Sequence, residues 1–123
     1  MIELAFAILC VAGLGGATLA VVHLRAVRPA FAHARLAALH GAIGGAGLSV
    51  LLVGLDHASR PRAMGTAGFG RTSAVLFALA LLLGLAIAVA QWRRRRPNGA
   101  LLGVHAGLAI AGLVVLSALL ALG

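Results

Sequence analysis

Negative charge is nearly missing from this sequence. Of 123 residues only Glu3 and Asp56 are acidic, lysine does not occur, and ten arginines give a formal net charge of +8 at pH 7. Charged residues make up 10% of the chain and hydrophobic residues 63%, whereas soluble domains average about a quarter charged and about half apolar. The composition excludes a soluble globular domain, a disordered chain and a disulfide scaffold, and it is typical of a membrane protein.

Cysteine and buried charge are equally scarce. Cys10 is the only cysteine, so the chain can form neither an intramolecular disulfide nor a thiolate metal cluster. Inside the apolar stretches there is no carboxylate of the kind that a proton-coupled or cation-coupled transporter usually needs. The residues of a hydrolytic site are dispersed along the chain. We therefore expect no catalysis by this chain alone.

Four apolar stretches are long enough to cross a bilayer. They run Leu4–Leu24, Leu36–Leu55, Thr72–Trp92 and Ala100–Leu122. About 20 apolar residues span the roughly 30 Å of hydrocarbon, and lipid offers the backbone no hydrogen-bond partners, so such stretches form helices. The sequence predicts an all-α integral membrane protein, with four transmembrane helices in a bundle and residues 1–123 as a single membrane domain.

The arginines predict the orientation. The first connection, Arg25–Arg35, and the third, Arg93–Gly99, hold seven of them, whereas Asp56–Arg71 holds three. By the positive-inside rule both termini lie outside, which for a bacterial inner membrane is the periplasmic side. We expect anionic lipid head groups, not nucleic acid, to meet the cytoplasmic arginines. The run in question is Arg93, Arg94, Arg95 and Arg96.

The second and fourth stretches match when the chain is shifted by 65 residues. Eight of twenty positions are identical, among them His40 with His105 and Gly47 with Gly112. Because Ala, Leu and Gly are so frequent, the histidine followed seven residues later by glycine carries most of the weight. The match predicts two helical hairpins repeated in the same orientation, with repeat units 1–58 and 69–123 and both histidines at one depth.

Each of these histidines begins a stripe of small residues. His40, Gly44 and Gly47 share one helix face, and His105 and Gly112 repeat the pattern. Two neutral imidazoles at equal depth on neighbouring helices can bind one haem iron as axial ligands, here as a b-type haem. In that hypothesis the three glycines leave room for the macrocycle. In the alternative, each imidazole reaches water, a head group or a backbone carbonyl near the interface.

The remaining glycines are explained by helix packing. No hydrophobic force acts between helices in lipid, so small residues allow the close approach that gains dispersion contacts. We assign Gly13, Gly16 and Gly84 to packing alone, since no histidine lies beside them on their own helix face. The other glycines that we assign to packing are Gly41, Gly45, Gly103 and Gly107. Their surfaces predict association with other membrane subunits or with copies of this chain.

Three functions fit these observations. The first is an accessory or anchoring subunit of a larger membrane complex, such as a respiratory or electron-transfer complex. The second is a b-haem electron-transfer subunit with His40 and His105 as axial ligands, passing electrons between quinone and a partner. The third is a homo-oligomeric pore or carrier for a small solute. No motif in the sequence decides among them.

Overall fold

The computed structural model describes residues 1–25, 31–57, 67–93 and 99–122. They form four helices: α1 (Ile2–Arg25), α2 (Phe31–Asp56), α3 (Ala67–Trp92) and α4 (Gly99–Leu122). Each contains a segment of 21 to 25 residues that is long and apolar enough to cross a membrane. The predicted all-α bundle of four membrane helices is therefore confirmed. The helices α2 and α3 begin five residues before the predicted spans, because helical hydrogen bonding continues through Arg35 and Arg71 into the interface.

The helices surround a common centre. The hairpin partners α1 and α2 pack most extensively on each other, as do α3 and α4, and smaller contacts join α2 to α3 and α1 to α4. Within the described residues no backbone contact joins α1 to α3 or α2 to α4, so these are the diagonal pairs. We call the end that carries Arg25, Arg35 and Arg93 the histidine end, and the opposite end, with Met1 and Asp56, the Met1 end.

The Met1 end is tightly packed. Leu51 on α2 and Leu116 on α4, diagonal to each other, are 0% exposed. All four helices contribute to this buried cluster, whose members are Ala5, Leu9, Leu48, Leu51, Ala74, Phe77, Leu116 and Leu119. Gly47 and Gly112 permit the close packing: a Cβ on Gly47 would lie 2.8 Å from Leu9 Cγ, and one on Gly112 would lie 3.1 Å from Phe77 Cζ.

The histidine end is more open. Leu36 and Leu101 lie one turn before His40 and His105 on the same stripes, yet they are 41% and 43% exposed. The corresponding residues toward the Met1 end, Leu51 and Leu116, are fully buried. Burial is therefore lower toward the histidine end along these two stripes, although Ile87 on α3 is only 7% exposed there.

Several hydroxyl groups in the spans donate to carbonyl oxygens within the protein. The hydroxyls of Thr18 and Ser49 donate to the carbonyl oxygens of Leu14 and Gly45, one turn back on their own helices. The buried Ser73 is different, because its hydroxyl crosses to α4 and donates to Gly112 O at 3.0 Å. Such bonds remove the cost of placing a hydroxyl in hydrocarbon.

Candidate functional site

The two histidines meet at the centre of the bundle. His40 is on α2 and His105 on the diagonal helix α4, and their ring centroids are 5.9 Å apart with an interplanar angle of 82°. Both side chains are partly buried. The pair lies between the buried cluster of the Met1 half and the histidine end, where Leu36 and Leu101 are exposed.

His40 is held by its own hairpin. Its Nδ1 lies 2.9 Å from the carbonyl oxygen of Ala12 on α1, and since that oxygen only accepts, Nδ1 carries the hydrogen. One turn further along α1, Gly16 provides the surface against which the ring lies. A Cβ at Gly16 would be 3.0 Å from His40 Cε1, so any larger residue there would push the ring aside.

His105 is held in the same way by the second hairpin. Its Nδ1 donates to Ala80 O on α3 at 2.8 Å, and its ring lies against Gly84, where a Cβ would be 2.9 Å from Cε1. Each contact has a counterpart in the first hairpin. The α3 residues lie 68 positions after their α1 equivalents, and His105 on α4 lies 65 positions after His40 on α2. The two imidazoles are therefore presented by matching surroundings.

Nε2 of each ring accepts no hydrogen bond from the described side chains or backbone groups. A neutral imidazole with its hydrogen on Nδ1 carries its lone pair on Nε2. His40 and His105 thus place two Nε2 lone pairs at one level of the bundle. The rings contact each other, donate through Nδ1 to backbone carbonyls, and lie against Gly16 and Gly84.

The glycines nearest the histidine rings are Gly16 and Gly84, not the stripe glycines to which the sequence analysis gave a role in haem binding. The stripe glycines Gly44, Gly47 and Gly112 face the bundle interior, but Gly47 and Gly112 pack against Leu9 and Phe77 instead of an imidazole. A Cβ on Gly44 would meet Ala12 Cβ at 4.0 Å. Their proposed role in leaving room for a macrocycle stays a prediction.

Gly16 and Gly84 were assigned to helix packing, and each packs directly against a histidine ring from the other helix of its hairpin. The pattern on one helix did not indicate these histidine contacts, because it considers only residues of the same helix. A shift of 68 residues, which lays Gly16 on Gly84 and Ala12 on Ala80, was the signal in the sequence that would have found them.

The other packing glycines divide into two groups. Gly13 does pack within the chain, since a Cβ there would lie 3.5 Å from Leu113 Cδ1 on α4. Four further glycines have nothing within 4 Å of the Cβ direction, namely Gly41, Gly45, Gly103 and Gly107. They make no close helix contact inside the described chain, so their predicted packing role would need another chain.

Basic residues surround the histidine end. The side chains of Arg25, Arg35 and Arg93 are exposed there, beside Trp92, which is 86% exposed. These residues can meet anionic groups at the membrane interface. Arg94, Arg95 and Arg96, predicted to bind lipid head groups together with Arg93, lie outside the described residues.

A groove between α1 and α2 leads from the outer surface to His40. Its volume is about 360 Å³, and its lining includes Leu14, Gly15, Thr18, Leu39 and His40. Leu14 and Leu39 are 71% and 57% exposed, so they form the outer rim. Gly15 lies at the inner side, where its Cβ direction meets His40 Nδ1 at 3.9 Å.

Comparison with known protein families, curated proteins and solved structures found no match to this chain. Its function is therefore inferred from the geometry above.

Proposed function

We propose that this chain is a membrane electron-transfer protein that holds one b-type haem between His40 and His105. The observation that carries the proposal is the pair of matched imidazoles, each fixed through Nδ1 and each with a lone pair on Nε2. Histidines that bind metals almost always donate their other ring nitrogen to a carbonyl or carboxylate, which fixes the tautomer and the ring orientation. Both histidines have this arrangement, and their partners are the equivalent alanines of the two hairpins.

The number of ligands favours haem over a bare metal ion. Within the described residues there is no group of three or more His, Cys, Asp or Glu that could hold a metal. A structural zinc site needs four protein ligands and a catalytic one needs three. A porphyrin supplies four nitrogens of its own, so two axial imidazoles complete the coordination of its iron.

The separation of the rings also fits. If Nε2 of each ring bound the same iron from opposite sides at roughly 2 Å, the ring centroids would lie roughly 6 Å apart. The centroids of His40 and His105 are 5.9 Å apart. Leu36 and Leu101, one turn from the rings toward the histidine end, are 41% and 43% exposed, and Gly16 and Gly84 add no side chain at the level of the rings.

Each part of the chain has a defined task in this proposal. The haem supplies reversible one-electron chemistry. The carbonyls of Ala12 and Ala80 orient the ligands, and the packed cluster around Leu51 keeps water from the Met1 side of the site. Arginines at the histidine end, including Arg35 and Arg93, neutralise the propionates at the interface, which by the arginine distribution is the cytoplasmic one.

The test is the visible spectrum of the purified protein, oxidised and reduced with dithionite. We expect a Soret band and reduced α and β bands in the natural protein, and their loss in His40→Ala and in His105→Ala. His57→Ala is the matched control: His57 also donates Nδ1 to a carbonyl, Val53 O, but it is exposed at the Met1 end. Its spectrum should be unchanged, and circular dichroism shows whether each variant is folded.

A second variant separates ligation from a structural role. His105→Met replaces one imidazole by a thioether, and since methionine with histidine raises the potential of haem iron, the protein should keep its haem with a higher midpoint potential. A flat spectrum from folded natural protein with haem supplied during expression would overturn the proposal. So would an unchanged spectrum in His40→Ala, and metal analysis would then show whether the pair holds another ion.

A role as a subunit of a larger complex is the second candidate, and one observation favours it. Gly41 and Gly45 on α2 and Gly103 and Gly107 on α4 have open space along the Cβ direction, as glycines that receive a neighbouring helix would. The haem and subunit proposals are compatible. Native mass spectrometry of the mildly solubilised protein should then show a second chain or a defined oligomer, whereas a monomer under all mild conditions would count against this candidate.

A further inference from the structure

The groove between α1 and α2 distinguishes the first hairpin from the second. Two residues in it differ from their equivalents in the 68-residue correspondence between α1 and α3, which places Ala12 with Ala80 and Gly16 with Gly84. Gly15 corresponds to Leu83, and Thr18 corresponds to Ala86. The first hairpin therefore has space where the second has a leucine side chain, and a hydroxyl group where the second has a methyl group.

The position of the groove limits what it can bind. Its rim residues Leu14 and Leu39 are exposed on the outside of a membrane helix pair, so the groove opens sideways onto the hydrocarbon layer. Its occupant must therefore dissolve in the bilayer. A volume of about 360 Å³ is near the lower end of the range for small-molecule sites, which suits a single ring with part of a tail.

The polar groups of the groove favour a hydrogen-bond donor as occupant. The Thr18 hydroxyl gives its hydrogen to Leu14 O, so its oxygen still has lone pairs that can accept. The Nδ1 hydrogen of His40 is used by Ala12 O and is not available to a ligand. A ring that carries a hydroxyl group can donate a hydrogen bond to Thr18 Oγ1. A ring that carries only carbonyl oxygens finds no donor among the groove side chains described.

We propose that this groove binds the ring of a lipid-soluble quinol, with one ring hydroxyl donating to Thr18 Oγ1 and the ring placed beside His40. Its role as electron donor rests on the haem proposal, because His40 would then link the groove to the iron. Each quinol carries two electrons and two protons. Its oxidation to quinone would require the single ferric haem to accept one electron twice, with reoxidation by a one-electron acceptor of the partner between the two transfers, and the two protons would be released to water at the nearby interface.

The decisive variant copies the second hairpin into the first. Gly15→Leu together with Thr18→Ala should fold, since Leu83 and Ala86 occupy the corresponding positions beside His105. Ala17→Leu is the control, because Ala17 is exposed on α1 at the same depth but does not line the groove. The natural protein and both variants are irradiated in lipid nanodiscs with an azido-substituted decylbenzoquinol, and the labelled peptides are identified by mass spectrometry.

In the natural protein we expect labels in residues 11–19 and 36–43, and excess decylubiquinol should remove them. The amount of label should fall roughly tenfold in the double variant and stay unchanged in Ala17→Leu. Labels spread over the outer surface, or labels that excess quinol does not remove, would mean that lipid fills the groove and would overturn the proposal. Equal labelling of the double variant would overturn it as well.

The labelling does not need haem, so the two proposals can fail separately. If the protein is colourless but the groove is labelled and competed as expected, the haem proposal fails and the quinol site stands. If haem is present but decylubiquinol reduces it equally fast in the natural protein and the double variant, the groove is not the electron entry site. Reduction by dithionite, which should be equal in all variants, shows that the haem itself is intact.

Discussion

Gly84→Ala tests how closely α3 is fitted to His105. The added methyl group would lie 2.9 Å from His105 Cε1 and 3.3 Å from Nδ1. The ring would have to move by at least about 0.5 Å to reach an ordinary contact distance of 3.4 Å. It cannot do so freely, because Nδ1 is bonded to Ala80 O at 2.8 Å.

The size of the effect follows from two contributions. Overpacking of this kind costs about 1 to 3 kcal/mol, and loss of one hydrogen bond between membrane helices costs about 0.6 kcal/mol on average. We expect Gly84→Ala to lower the free energy of unfolding by about 2 to 3 kcal/mol. Gly16→Ala should have a similar or slightly smaller effect, since its contact with His40 Cε1 is 3.0 Å.

The assay is unfolding followed by circular dichroism in one detergent, with Gly107→Ala as control. Gly107 is also in a membrane helix but has nothing within 4 Å of its Cβ direction, so alanine should be harmless there. If Gly84→Ala and Gly107→Ala differ by less than about 0.5 kcal/mol, the ring is not held as described and the reasoning is wrong.

Two further predictions concern the packed end and the orientation. Ser73→Ala should lower the free energy of unfolding by about 0.5 to 1.5 kcal/mol, measured in the same unfolding assay, because the bond to Gly112 O is lost; an unchanged midpoint would show that this bond does not stabilise the bundle. For the orientation, a cysteine introduced as Asn98→Cys should react with an impermeant thiol reagent only after the cells are opened, and one introduced as Ser59→Cys should react in intact cells. The reverse pattern would place the histidine end outside.

The fold was predictable because it depends on composition and length. Apolar stretches of about 20 residues have one stable solution in lipid, and the structure adds only about one turn to the starts of α2 and α3. The burial of Leu51 and Leu116 follows the same periodicity, because they lie four residues beyond Gly47 and Gly112 and residues three and four apart share a helix face.

The surroundings of the histidines were harder to predict. A single-helix pattern places His40 and His105 at one depth, but it cannot say which carbonyl each ring will reach on another helix. The roles of Gly16 and Gly84 depend on the register between hairpin partners, which side-chain packing sets along the whole length of α1 with α2 and of α3 with α4. Residues such as Gly41 and Gly45 match the small-residue pattern but face outward, because that pattern does not specify which side of a helix its partner occupies.

Each hairpin contains half of the site in finished form. His40 takes its hydrogen bond and its glycine surface from α1, and His105 takes both from α3, so neither ring needs the other hairpin for its orientation. Helices in membranes form first and associate afterwards. The orientation of each histidine is thus set during hairpin formation, and the His40–His105 pair forms in the last assembly step, when the two halves dock. Two separately expressed fragments, cut within the connection that follows α2, should for the same reason reassemble with the histidine pair in place.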